Sequence, residues 1–154
     1  MSPPGTRQRL VVGAMTGTSI DGIDVAMAQI DGWGLGIQAT LLRHDGAVLG
    51  SLAADLRRAA EQTPMSAEDF SKLALALGEL HATAIVELIE PGQVIDLITV
   101  HGQTIVHRPP VSWQLINPTP IARRFGCPVI YDLRQADMAA GGQGAPITPL
   151  ADWI

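Results

Sequence analysis

Glycine, hydroxyl and carboxylate side chains crowd one short segment, Gly13-Ala14-Met15-Thr16-Gly17-Thr18-Ser19-Ile20-Asp21-Gly22, between two apolar runs. Glycines let backbone N–H groups come close to an anion. Thr16, Thr18 and Ser19 add hydroxyl donors. Asp21 adds a carboxylate able to hold Mg²⁺, directly or through water. The chemistry this composition allows is phosphate binding. An ordinary hairpin turn uses the same residue types, so the segment alone leaves both readings open.

Two further clusters follow apolar runs. His101, Gln103 and Thr104 come after a run ending at Val100, and Asp132, Arg134 and Asp137 come after Val129-Ile130-Tyr131. The glycine-rich stretch Gly141-Gly142-Gln143-Gly144 comes next. Polar groups at strand ends are how α/β sites are usually built. Each cluster also has a plain reading: His101-Gly102 as a strand exit, Arg134 as the partner of Asp132 or Asp137, Gly141-Gly142 as a helix stop. Acid, base and phosphate donors coinciding at strand ends favour chemistry over the separate plain readings.

The elements that must position these groups are legible as periodicity. Strands are expected over Arg9–Met15, Ile23–Ile30 and Leu35–Arg43, with Asp31-Gly32 as a hairpin signal and Asp45-Gly46 ending the segment. A short helix is expected from Leu52 to about Gln62. Ser66 and Asp69 then stand like a capping box, ahead of a stripe through Phe70, Leu73, Leu77, Leu80, Ala84 and Leu88. That helix should stop before Pro91-Gly92, with His81 beside the stripe at a partly buried surface. A strand over Val94–Val100, a proline-rich connection, a helix over Pro118–Phe125, a strand over Pro128–Tyr131 and a last helix complete the order. Three antiparallel strands followed by alternating strands and helices predict an α/β fold: a mixed five-stranded sheet flanked by helices. This is the order of the ribonuclease H-like, actin-like ATPase lobe, in which the first hairpin turn is a phosphate loop.

The 154 residues are 47% apolar and 16% charged, enough for a real core. A formal net charge of −5 argues against a nucleic-acid partner. The single cysteine, Cys127, excludes an internal disulfide and suits a packing role. Glu79, His81 and Glu87 interrupt the most apolar stretch, and no signal peptide is evident. A soluble, cytoplasmic protein with no membrane partner is expected.

Four stretches resemble the motifs of the anhydro-N-acetylmuramic acid kinase family. Met15-Thr16-Gly17-Thr18-Ser19-Ile20-Asp21-Gly22-Ile23-Asp24 resembles its "MSGTSxDGxD". His101-Gly102-Gln103-Thr104 with His107-Arg108-Pro109 is similar to "HGQTxxHxP", Asp132-Leu133-Arg134-Gln135-Ala136-Asp137 to "DFRxxD", and residues 140–146 to "AGGQGAP". The motifs stand in the family's order and span nearly the whole chain. Thr16 replaces a serine, Leu133 a phenylalanine, and Ile116 a glycine of the family's "QxGxP".

The resemblance implies an ATP- and Mg²⁺-dependent sugar kinase of cell-wall recycling. It would open the ring of 1,6-anhydro-N-acetylmuramic acid with water and phosphorylate O6. It implies Asp137 as the base that activates water. Gly17, Thr18, Ser19, Ile20, Asp21 and Gly22 would form the nucleotide-phosphate turn, with Asp21 on the metal. His101, Gln103, Thr104 and Arg134 would line the sugar. A disordered tail is expected over 1–8; the resemblance further implies an N-terminal lobe over 9–154, with a second lobe carrying the other phosphate loop and the adenosine pocket. The chain is therefore expected to be a truncated product or fragment, short of a complete ATP site. Trp153 and Ile154 would lie on an apolar face meeting that lobe or another copy of the chain. The alternative is a non-catalytic muramyl-sugar-binding or split-enzyme lobe. A different actin-like sugar kinase fits the "HGQT" and "GGQGAP" stretches less well.

Overall fold

The computed structural model describes residues 8–147. Trp153 and Ile154 lie outside the described residues, as does all but the last residue of the 1–8 tail. The chain opens with an antiparallel pair, β1 (Arg9–Thr16) and β2 (Gly22–Asp31). Side chains alternate across a strand. Val12, Ala14 and Thr16 of β1 and Ile23, Val25 and Met27 of β2 therefore share the buried face. An edge strand, β3 (Gln38–Val48), pairs antiparallel with β2 through a register shift at Met27/Ala28. Asp45-Gly46, expected to end the sheet, lies inside β3 opposite Val25 and Asp24. That edge is exposed, so the apolar alternation that marks a buried strand is missing there.

Two helices cover the buried face: α1 (Leu52–Ala60) and α2 (Ala67–Leu88). The capping box forms as expected: the Asp69 amide donates to Ser66 Oγ at 3.1 Å, and the Ser66 amide to Asp69 Oδ2 at 3.0 Å. The stripe packs inward through Leu73, Leu77, Ala84 and Leu88. His81 packs inward with it and is fully buried, not partly exposed at the surface. It stands four residues after Leu77, on the same helical face.

The chain then adds β4 (Leu97–His101), parallel to β1, and after a hairpin and α3 (Thr119–Phe125) adds β7 (Val129–Tyr131), parallel to β4. A last helix, α4 (Leu133–Ala139), follows. The sheet order is β3-β2-β1-β4-β7. This mixed five-stranded α/β sheet is the ribonuclease H-like arrangement that the element order predicted.

The hairpin is an addition. Residues read as a proline-rich connection form β5 (Gln103–Arg108) and β6 (Val111–Leu115), a two-stranded sheet of their own. Pro109-Pro110 is the turn between them, which is why the segment reads as a linker. Phe70 of α2 packs on Trp113 of β6 with ring centroids 5.0 Å apart. Gly102 permits the approach of the two strands: a Cβ there would lie 2.4 Å from the Leu115 carbonyl oxygen. Among the described residues no helix is long and apolar enough to cross a membrane. Cys127 is half-buried and burial raises its thiol pKa, which suits packing better than nucleophilic chemistry.

The buried histidine has a measurable consequence. Burial pushes the His81 imidazole down to about 4, against a hydrogen bond to the Leu77 carbonyl that pulls the other way. The folded pKa lies below the unfolded value near 6.5, so the unfolded chain binds the proton first. The stability this contributes is complete above about pH 6.5 and is lost as pH falls towards 4. Between about pH 7 and about pH 4.5 the loss should be on the order of 2 kcal/mol. Denaturant titrations of the wild type and of His81→Phe at both pH values check this. The expected result is a steeper acid loss in the wild type; equal losses would show that His81 contributes none of it.

Candidate functional site

Parallel pairing puts the carboxyl ends of β1, β4 and β7 at one edge of the sheet. Met15 is level with His101, and Val100 with Tyr131. The 17–21 turn, His101 and Asp132 therefore emerge side by side, where ligands bind in α/β sheets.

The first component is the turn after β1. The Ile20 amide donates to the Gly17 carbonyl at 3.2 Å, closing it. Ile20 takes φ = 55°, a left-handed conformation that a β-branched residue rarely adopts. Its side chain is buried in the core and its carbonyl accepts from Arg57 Nη2 of α1 at 3.1 Å. Ile20 thus shapes the turn; its amide is already committed. Thr18, Ser19 and Asp21 face solvent, and Gly17 and Gly22 are half-buried. The Ser19 hydroxyl donates to Asp21 Oδ1 at 2.8 Å. Among the described residues no cluster of three His, Cys, Asp or Glu, around Asp21 or elsewhere, is placed to hold a metal. One exposed carboxylate beside hydroxyls fits Mg²⁺ carried on a phosphate, which needs only one or two protein carboxylates.

The second component ties three sequence motifs together. Arg134 Nε donates to His101 Nε2 at 3.1 Å, and Arg134 Nη1 to the Gly144 carbonyl at 2.8 Å. The Gly144 amide in turn donates to Asp137 Oδ2 at 2.7 Å. Accepting at Nε2 makes His101 a neutral imidazole with its proton on Nδ1. Its pKa is lowered in the same sense, first by burial and then by the Arg134 charge, against the Gly102 backbone and the Asp132 carboxylate. Arg134 therefore bridges β4 to the glycine turn and forms no ion pair with Asp132 or Asp137 among the described residues.

The glycine turn closes round the carboxylate. The Gly142 amide donates to the Asp137 main-chain carbonyl at 2.9 Å. A Cβ on Gly142 would fall 2.1 Å from Asp137 Oδ2. Gly144, at φ = 70°, sits where a Cβ would crowd Met138, Arg134 and His107. These glycines act by leaving room and by donating backbone hydrogen bonds, beyond the helix stop their sequence suggests.

The structure does not bring Gln103 and Thr104 into this chain of contacts. The Thr104 hydroxyl donates to Gln114 Oε1 at 2.7 Å, inside the β5–β6 hairpin. Gln103 is buried, with its Oε1 lacking a hydrogen-bond partner. One oxygen of Asp132, Oδ1, is buried and unpartnered in the same way. Gly13, Met15, Asp24, Thr99, His101 and Leu133 line a shallow cavity of about 310 Å³ on the sheet face opposite α1 and α2.

The model of the family described as "Anhydro-N-acetylmuramic acid kinase" matches residues 9–154. Proteins carrying that name are similar to the chain. One from Synechococcus sp. (strain CC9605) is 40% identical over 151 residues, covering 92% of this chain and 39% of the relative. One from Synechococcus elongatus is 38% identical over 152 residues, covering 94% and 40%. One from Salinibacter ruber is 35% identical over 162 residues, covering 96% and 41%. The chain spans about two fifths of the length of these curated relatives.

Proposed function

The chain belongs to the anhydro-N-acetylmuramic acid kinase family, and on that premise we propose that it forms the sugar-side lobe of an ATP-dependent kinase acting on 1,6-anhydro-N-acetylmuramic acid. The reaction is hydrolytic ring opening with phosphorylation at O6, giving N-acetylmuramic acid 6-phosphate for recycling of cell-wall sugar in the cytoplasm. A second lobe, contributed by residues such as make up the rest of its relatives' length, completes the nucleotide site.

Asp137 takes a proton from water as that water attacks the anomeric carbon. The C1–O6 bond breaks, its electron pair stays on O6, and O6 takes the γ-phosphoryl group. The single observation that carries this reading is the Asp137 carboxylate, held by the Gly144 amide in a turn fastened to His101 through Arg134. A base held at one oxygen keeps the other free to accept a proton. The exposed face of the 17–22 turn would hold the phosphates through backbone N–H groups and the Thr18 and Ser19 hydroxyls. Asp21 would hold Mg²⁺, which when bound offsets phosphate charge.

Calorimetry and amide spectra of the 154-residue chain test the proposal. Added 1,6-anhydro-N-acetylmuramic acid is expected to shift the amides of His101, Arg134 and Asp137. MgATP should bind weakly or not at all, because one phosphate turn supplies only part of the charge-assisted contacts. No response to the anhydro sugar would overturn the sugar assignment. Micromolar MgATP affinity, about −8 kcal/mol, would overturn the requirement for a second lobe.

A further inference from the structure

Beneath the phosphate turn lies a contact that the proposed chemistry does not use. Thr16, the last residue of β1, places its Oγ1 3.4 Å from Nε2 of His81, inside the core. His81 Nδ1 lies 2.8 Å from the Leu77 carbonyl oxygen. A carbonyl only accepts, so Nδ1 carries the proton and Nε2 is bare. The Thr16 hydroxyl must then donate to Nε2. Its one proton is committed to the core, and at 2% exposure it is out of a ligand's reach.

We propose that His81 is a positioning residue for the phosphate-binding turn, acting as the fixed acceptor that holds the Thr16 hydroxyl and so sets the direction in which the chain leaves β1. The inference rests on reading residues 17–22 as phosphate-binding. Thr16 is then a post of the turn and not one of its phosphate donors; those begin at Gly17. Helix α2 anchors the entry of the turn through His81, while helix α1 anchors its exit through Arg57 on the Ile20 carbonyl. Burial, which depresses the pKa of His81, keeps the imidazole neutral and hence able to accept.

The test uses the 154-residue chain with ¹⁵N-resolved imidazole and amide spectra, and inorganic tripolyphosphate as the probe. His81 is expected as the neutral Nδ1–H tautomer. Thr16→Val, which keeps the shape and removes the hydroxyl, should shift the His81 Nε2 resonance and the Gly17–Gly22 amides. It should weaken tripolyphosphate binding by up to about fivefold, the worth of one net hydrogen bond being the ceiling for a contact of 3.4 Å. Thr16→Ser should restore both. An Nε2–H tautomer would overturn the proposal, and so would a Thr16→Val protein whose turn amides and tripolyphosphate affinity match the wild type. Wild-type amides that ignore tripolyphosphate would match the weak nucleotide binding expected of a lone phosphate turn and would leave the decision to the other two readouts. The tautomer and the Thr16→Val shift then still decide whether His81 holds Thr16.

Discussion

Asp137→Asn, in a protein of the relatives' full length, is expected to lower turnover of 1,6-anhydro-N-acetylmuramic acid by roughly 10²–10⁴-fold, the usual cost of losing a positioned base. Asparagine has the same shape and its amide oxygen still accepts from the Gly144 N–H, so the turn round position 137 should survive. What is lost is the basicity. Steady-state kinetics alongside thermal melting separates the two: turnover should collapse while the melting temperature hardly moves. A folded variant with near-normal turnover would remove Asp137 from the role of base.

The second large effect is expected from a residue with no side chain. Gly142→Ala places a methyl group 2.1 Å from Asp137 Oδ2 and 2.5 Å from its Cγ. The backbone of Gly142 is not in the left-handed region, so alanine is conformationally acceptable there. The colliding atoms are the end of a flexible side chain, so the fold accommodates the methyl by swinging the carboxylate aside. That breaks its bond from the Gly144 amide and misplaces the base. Misplacement by about an ångström costs about 10²-fold in rate. Because both substitutions disable one carboxylate, the double variant Asp137→Asn/Gly142→Ala should be little worse than Asp137→Asn alone. Additive losses would mean that Gly142 acts independently of Asp137.

Both arguments depend on details that the sequence exposes unevenly. The order of elements along the chain was legible because the first strands are short apolar runs, and because the Leu stripe of α2 repeats with the helical period. The capping box at Ser66 and Asp69 was legible because it is purely local. The β5–β6 hairpin was not, because two prolines at its turn mimic a linker. Gln103 and Thr104 were grouped with His101 by adjacency, yet one strand end and one glycine separate them into different sheets. His81 was misread because a histidine beside a stripe suggests the surface, although position 81 lies four residues after Leu77. Arg134 had two carboxylates nearby in sequence and bonds instead to His101 and the Gly144 carbonyl. Contacts made by Gly142, Gly144 and Arg57 depend on tertiary approach and leave no periodic trace.

The parallel register of β1 and β4 carries a consequence in entropy. Met15 is level with His101, so the two strand ends stand one inter-strand spacing apart, about 4.8 Å. The turn after β1 hangs from Thr16 and Ile20, and Asp137 hangs from His101 through Arg134 and Gly144. The span from phosphate turn to carboxylate is therefore written into the hydrogen-bonded ladder. It is fixed during folding, before any ligand arrives. Orienting these groups consumes little freedom when a sugar binds, so its binding should carry a small configurational entropy loss. The freedom still to be surrendered then belongs mainly to the ligand.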